Sequence, residues 1–251
     1  MSSKLSKINF LAVPGSHEPS PRSGRITITE HHRDYWHDFY AGRASSDVPD
    51  RPSDFARWVE AQLPPEHEVV ELGFGTARDS FFFSRRGRAV LGLDFAESAV
   101  DHARSQAAAL ALGARFDVLD LYDDAEVDRV ASTLTPAGGG RAVYARFLVH
   151  SLEEPGRANL LRLAAAAAGD GDGELFLEFR TGKDLGQEHL FGDDHYRVFL
   201  DPLVVELEIE ALGGEITYRE EGCGLAVYRS EDPHVCRLVA RFPPAGTGRP
   251  S

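Results

Sequence analysis

The sequence predicts an α/β protein, a three-layer sandwich with helices on both faces of a mostly parallel sheet. Two observations carry that prediction. The first is a unit at residues 69–94: Val69-Val70-Glu71-Leu72, a glycine turn at Gly73-Phe74-Gly75, an amphipathic run, and Val90-Leu91-Gly92-Leu93-Asp94. The second is the alternation of short apolar runs with helical patterns that continues from there to residue 242. Strands that alternate with helices pair in parallel and wind doubly.

Residues 1–25 are rich in Ser, Pro and Gly and are expected to be a mobile N-terminal segment. Residues 26–65 read as a helical extension. Within it, 31–42 is dense in aromatics, with Trp36, Phe39 and Tyr40 on one helical face and Tyr35 adjacent. That face either docks on the core or forms a lid over a ligand, and the two roles are compatible. Ser53-Asp54 caps a helix over 55–63 that Pro64-Pro65 ends.

The main domain is expected over 66–251. Its strands are predicted at 69–72, 89–93, 114–118, 142–149 and 174–179. The intervening helices are predicted at 76–86, 97–112, 124–134 and 157–168. Phe81, Phe82 and Phe83 are expected to face the sheet. Pro136 and Gly138-Gly139-Gly140 break the third of these helices, and Asp170-Gly171-Asp172-Gly173 makes a turn. A long polar connection, 180–199, reads as an inserted loop or lid. Asp201-Pro202 then opens a helix to 212. The last strands are 215–218 and 235–242, with 225–228 a further candidate.

At 251 residues and 42% hydrophobic content, one large domain with extensions is the simplest arrangement. The net charge of −13 repels phosphate backbones, so nucleic acid is not expected as a partner. No stretch is long and apolar enough to span a membrane. The N-terminus lacks the apolar core of a signal peptide. Cys223 and Cys236 have no metal-ligand spacing and read as reduced thiols, so a cytoplasmic location is expected. Arginine far outnumbers lysine and the helices are rich in alanine, which suggests a high-GC bacterial genome.

The unit at 69–94 builds a nucleotide site. Its glycines let the backbone approach a ligand, and an acid at the tip of the second strand can accept both ribose hydroxyls. A dinucleotide fold places a small residue third, as in G-x-G-x-x-G/A, over a pyrophosphate. Here that position is Arg78. Glu71, two residues before the first glycine, repels a pyrophosphate and suits a cationic amino-acid ligand.

On Glu71, Gly73, Gly75 and Asp94 the chain resembles the class I S-adenosylmethionine-dependent methyltransferases, whose first motif is E/D-x-G-x-G. The resemblance is good over residues 66–178 and loose elsewhere. It implies a Rossmann-like sheet of seven strands with the last antiparallel. It also implies S-adenosylmethionine as cofactor. Separately, Arg146 to His150 with the later His195-Tyr196-Arg197 resembles small-molecule methyltransferases of bacterial polysaccharide or natural-product pathways. Glu71, Gly73, Phe74, Gly75, Arg78, Asp94 and Phe95 are expected at the cofactor. After strand three, the resemblance implies that Asp120 meets the adenine amino group with Leu121 against the ring. Asp117 competes for that role.

The acceptor side is read from two clusters. Arg146-Phe147-Leu148-Val149-His150 follows strand four and lacks the N/D-P-P-Y of base and glutamine methylases. Arg146 is a candidate for both cofactor and acceptor. His150 is the candidate general base, with a core or helix-capping histidine as the alternative. The second cluster is Arg180, Lys183, His195, Tyr196 and Arg197. It reads either as a clamp on an anionic acceptor or as a solvated loop neutralised by Asp184, Glu188, Asp193 and Asp194. His195 and Tyr196 are further catalytic candidates, and Tyr35, Trp36 and Tyr40 are further acceptor contacts. No metal is expected, because His150, His189 and His195 lack ligand spacing. O-methylation of an anionic or hydroxylated metabolite is the favoured reading, with N-methylation open. A non-catalytic cofactor-binding subunit and a nicotinamide-dependent oxidoreductase are the rivals. The oligomeric state is left open, with a homodimer as one option.

Overall fold

The computed structural model describes residues 51–134, 140–169, 173–185 and 198–243. The expectations for residues 1–50, for His189, His195, Tyr196 and Arg197, and for Tyr35, Trp36 and Tyr40 lie outside the described residues.

Seven strands form one sheet. They are β1 (Glu68–Leu72), β2 (Val90–Asp94), β3 (Arg115–Val118), β4 (Arg141–Arg146), β5 (Glu174–Arg180), β6 (Glu215–Gly222) and β7 (Val235–Arg241). Their order is β3-β2-β1-β4-β5-β7-β6. The first five are parallel, and β7 runs antiparallel to both β5 and β6. The described helices are α1 (Asp54–Glu60), α2 (Arg78–Arg85), α3 (Glu97–Ala109), α4 (Asp124–Thr133), α5 (Glu154–Ala168) and α6 (Pro202–Ala211). This is the Rossmann-like α-β-α sandwich.

Strand alternation divides the core between the two faces. Val70, Leu72, Val143, Ala145, Leu175, Leu177, Leu238 and Ala240 pack with residues of α4, α5 and α6. Val69, Ala142, Tyr144, Phe176 and Val239 pack with Phe55, Val59 and Phe83 of α1 and α2. A third cluster joins Phe74, Phe81 and Phe116 to the alanine face of α3. Each fully buried large side chain contributes roughly 1.5–3 kcal/mol.

Several boundaries differ from the sequence reading for local reasons. Helix α2 starts at Arg78, because Gly73, Gly75 and Ala77 all take left-handed φ angles, of 67°, 56° and 59°. Phe82 is half-buried beneath the Arg86 guanidinium, 5.4 Å from its ring centre. Three successive helical positions fan through about 200°, so all three phenylalanines cannot face the sheet. Strand β4 stops at Arg146, since Phe147 also sits at a left-handed φ of 57°. The chain then makes a 3₁₀ turn over Val149–Ser151. Residues 225–228 form no strand and contribute a single bridge, Tyr228 to Glu231.

The order of strands reverses between β1 and β4. In open α/β sheets ligands bind at the carboxyl ends of the strands beside that point.

Candidate functional site

Glu71, Gly73, Gly75 and Asp94 converge at the carboxyl ends of β1 and β2. The register sets Glu71 opposite Gly92 on one side and Tyr144 on the other. Gly73 N–H donates to the Leu93 carbonyl at 2.7 Å, and Ala77 N–H closes the turn on the Phe74 carbonyl at 2.9 Å. A Cβ on Gly73 would lie 2.9 Å from the Leu148 methyls as well as strain the backbone, so glycine is required there.

Asp94 is buried and braces this turn. Its Oδ2 accepts the Gly75 N–H at 2.9 Å, and its Oδ1 accepts the Ala96 N–H at 3.1 Å. Burial raises its pKa, while the N–H groups of Gly75, Ala96 and Phe95 oppose that rise. A carboxylate has about four lone-pair directions, so each oxygen keeps capacity for one further donor. That is the requirement for holding a vicinal diol.

Glu71 is buried and accepts the Ser80 hydroxyl on Oε2. Burial, and then neighbouring Asp79, push its pKa well above the ordinary carboxylate range. Asp79 is the centre of a network the sequence reading missed. Its Oδ1 accepts the Ser53 N–H at 2.7 Å, and its Oδ2 accepts the hydroxyls of Ser53 at 2.7 Å and Tyr144 at 2.8 Å. The α1 N-cap thereby fastens to α2. The only local signal was the period-2 row Ala142, Tyr144, Arg146, which places Tyr144 and Arg146 on one face.

Arg78, at the first position of α2, lies beside these acids, with Nε 3.8 Å from Asp79. Burial, then the Arg146 cation, hold its guanidinium below the ordinary arginine range. Arg146, Glu178 and Arg237 stand directly across neighbouring strands. Glu178 is fully buried and bridges both guanidiniums, at 2.8 Å from each Nε. Glu178 and Arg237 carried no separate signal in the sequence, because the pairing depends on β7 returning beside β5.

Other candidates are placed differently from their expected roles. His150 is buried in the 3₁₀ turn, and its Nδ1 accepts the Arg180 backbone N–H at 3.2 Å. Arg180 donates to Asp184 at 2.7 Å and to Glu231 at 2.5 Å, so its charge is spent inside the protein. Lys183 is exposed and pairs with Glu221 of β6 at 2.8 Å, away from the β1–β4 edge. Of the acids that the neutralised-loop alternative named, Arg180 meets Asp184, while Lys183 pairs with an acid outside that set.

Asp120 shapes the turn after β3. Its Oδ1 accepts the Tyr122 N–H at 2.9 Å, and its own N–H donates to Glu126 at 2.9 Å. Asp117 pairs with Arg104 at 2.6 Å on the α3 surface and does not compete for the site. Leu121 departs from its expected role, since its side chain is buried in the α4–α5 cluster and its carbonyl accepts from Asn159 at 2.9 Å. Phe95 is half-buried against the α3 cluster at the exit of β2. Among the described residues, no group of three or more His, Cys, Asp and Glu could hold a metal ion. None of the described helices is long and apolar enough to cross a membrane.

No family model and no curated protein sequence matches the chain. Solved structures do. The chain is similar to an S-adenosylmethionine-dependent methyltransferase from Anabaena variabilis, at 18% identity and a TM-score of 0.64, covering 88% of this chain and 97% of that one. It is similar to a protein solved in work on the conversion of a disulfide bond into a thioacetal group during echinomycin biosynthesis, at 20% identity and a TM-score of 0.66, covering 84% and 92%. It is also similar to the [4+2]-cyclase SpnF, at 15% identity and a TM-score of 0.64, covering 87% and 97%. At these identities the likeness is one of fold. The chain has the Rossmann-like fold of S-adenosylmethionine-dependent methyltransferases.

Proposed function

We propose that the protein is an S-adenosylmethionine-dependent methyltransferase acting on a small molecule. The observation that carries this reading is the set at adjacent strand tips: Glu71, the left-handed Gly73 and Gly75, and Asp94 bonded to the Gly75 N–H at 2.9 Å. Asp94 holds the ribose hydroxyls. Glu71 faces the amino-acid ammonium, and the glycines admit the ligand to the backbone. Phe95 packs on the adenine ring, and Asp120 orients its amino group. When bound, the cofactor supplies an electrophilic methyl group.

The protein's own contribution is alignment and water exclusion. Arg146 faces the acceptor, anchored from behind by Glu178. His150, His195 and Tyr196 are the candidate bases for a hydroxyl acceptor. O-methylation of an anionic or hydroxylated bacterial metabolite is the reading these groups support. The neighbours include a protein from echinomycin biosynthesis, in keeping with natural-product chemistry.

A second reading has a specific basis. A neighbour described as a [4+2]-cyclase shares the fold, so cofactor binding and methyl transfer are separable questions. The test is turnover with methyl-labelled S-adenosylmethionine against a panel of carboxylated, phosphorylated and hydroxylated metabolites. Label transfer above the uncatalysed rate supports the methyltransferase. Binding without transfer to any of them moves the protein to the cyclase-like or subunit reading.

A further inference from the structure

Among the described buried and half-buried arginines, all but Arg78 donate a hydrogen bond. Arg88, Arg141, Arg157, Arg180 and Arg237 each reach a carboxylate or carbonyl at 2.9 Å or closer. Arg78 donates none to any described residue, although its side chain is only 18% exposed. Its nearest carboxylate, Asp79 at 3.8 Å, is already occupied by both donors of Ser53 and by Tyr144. Arg146 is half spent, since Nε serves Glu178 while its two Nη groups donate to nothing among the described residues.

A guanidinium has five N–H donors in a rigid fork, and leaving them unpaired in a semi-buried site is costly. Two such forks side by side also repel one another. Unspent guanidinium donors at a semi-buried position of an acidic protein mark a site completed by an anion.

We propose that Arg78 and Arg146 together form an anion subsite that takes one carboxylate or phosphoryl group of the bound small molecules. This rests in part on the methyltransferase reading, which offers two sources for the group. One is the carboxylate of the cofactor's amino-acid portion, and the other is an anionic group on the acceptor. Arg180, the residue the sequence offered as clamp, is excluded by its two internal carboxylates, and Arg78 takes that place.

The experiment uses the full chain with Arg78→Gln, Arg78→Lys and Arg146→Gln, each checked by thermal melting. Three probes are titrated calorimetrically: S-adenosylhomocysteine, 5′-deoxy-5′-methylthioadenosine, which lacks the amino acid, and inorganic phosphate. If the cofactor supplies the carboxylate, Arg78→Gln weakens S-adenosylhomocysteine at least tenfold and leaves methylthioadenosine unchanged. If the acceptor supplies it, both nucleosides bind as in wild type, and phosphate binding to the S-adenosylhomocysteine-saturated protein is lost in both Gln variants. Either result supports the subsite. Should Arg78→Gln melt early, Arg78→Lys carries the same test, because it keeps a cation and loses the fork.

The proposal is overturned if folded variants bind S-adenosylhomocysteine as wild type does and phosphate binding is unaltered or absent throughout. If wild type binds no S-adenosylhomocysteine, the methyltransferase reading fails separately. Phosphate binding to the ligand-free protein, lost in the Gln variants, then still supports the anion subsite, and its absence overturns it.

Discussion

Tyr144→Phe removes one bond of the network in which Ser53, Asp79 and Tyr144 join α1, α2 and β4. The substitution keeps the ring and its packing on Phe55 at 5.1 Å and Phe83 at 5.4 Å, and it removes one hydroxyl. That hydroxyl is fully buried and donates to Asp79 at 2.8 Å. Burial, then Asp79, raise its pKa well above the ordinary phenol range, so it stays a donor at every working pH. A hydrogen bond to a charged partner is worth about 1.5–3 kcal/mol. Asp79 keeps both bonds from Ser53, at 2.7 Å each, so the carboxylate is not stranded and the loss falls toward the lower end, about 2 kcal/mol. For a domain of this size that is a fall of about 4–8 °C in Tm. Urea unfolding followed by circular dichroism reads the difference directly. A loss below about 0.5 kcal/mol would refute the claim that the Tyr144 hydroxyl ties β4 to Asp79 in a stabilising bond, since that is the scale of an ordinary surface substitution.

Three further outcomes follow from the same geometry. Because Glu71 has a raised pKa when folded, the native state holds its proton longer than the unfolded chain. Stability therefore falls as pH rises from about 4.3 toward the folded value, and Glu71→Gln flattens that slope in unfolding free energy measured across pH. Arg180→Ala leaves Asp184 and Glu231 buried without their guanidinium, and the expected loss is about 3–5 kcal/mol by urea denaturation. Gly73→Ala forces a Cβ into a left-handed position 2.9 Å from Leu148, at about 1–2 kcal/mol in backbone strain alone. Binding of S-adenosylhomocysteine to that variant is expected to weaken at least tenfold.

The parallel half of the sheet was legible because β1, β2 and β4 are short apolar runs, each followed within a few residues by a helical pattern. The glycine turn and Asp94 were legible because their chemistry is local, spaced within one βαβ unit. What escaped the sequence depends on contacts between distant segments. Ser53 and Asp79 meet across 26 residues, and Arg180 and Glu231 across 51. Nothing in the local pattern of Arg180-Thr181-Gly182-Lys183 distinguishes a clamp on substrate from a clasp on Glu231. Strand β6 runs on through Arg219-Glu220-Glu221, four residues beyond the predicted end at 218. It is an edge strand held by pairing with β7, with no buried face to write an alternation into the sequence. His150 belongs with these: its residue type suggested a base, and its Nδ1 accepts the Arg180 N–H from a strand 30 residues away.

The central claim is that Asp94 and the glycine turn hold S-adenosylmethionine. Calorimetric titration of S-adenosylhomocysteine into wild type and Asp94→Ala tests it most directly. Wild type is expected to bind in the micromolar range, about −8 kcal/mol, with binding lost or strongly weakened in the variant. A well-folded wild type that shows no heat, or an Asp94→Ala protein that binds as tightly as wild type, would contradict the account.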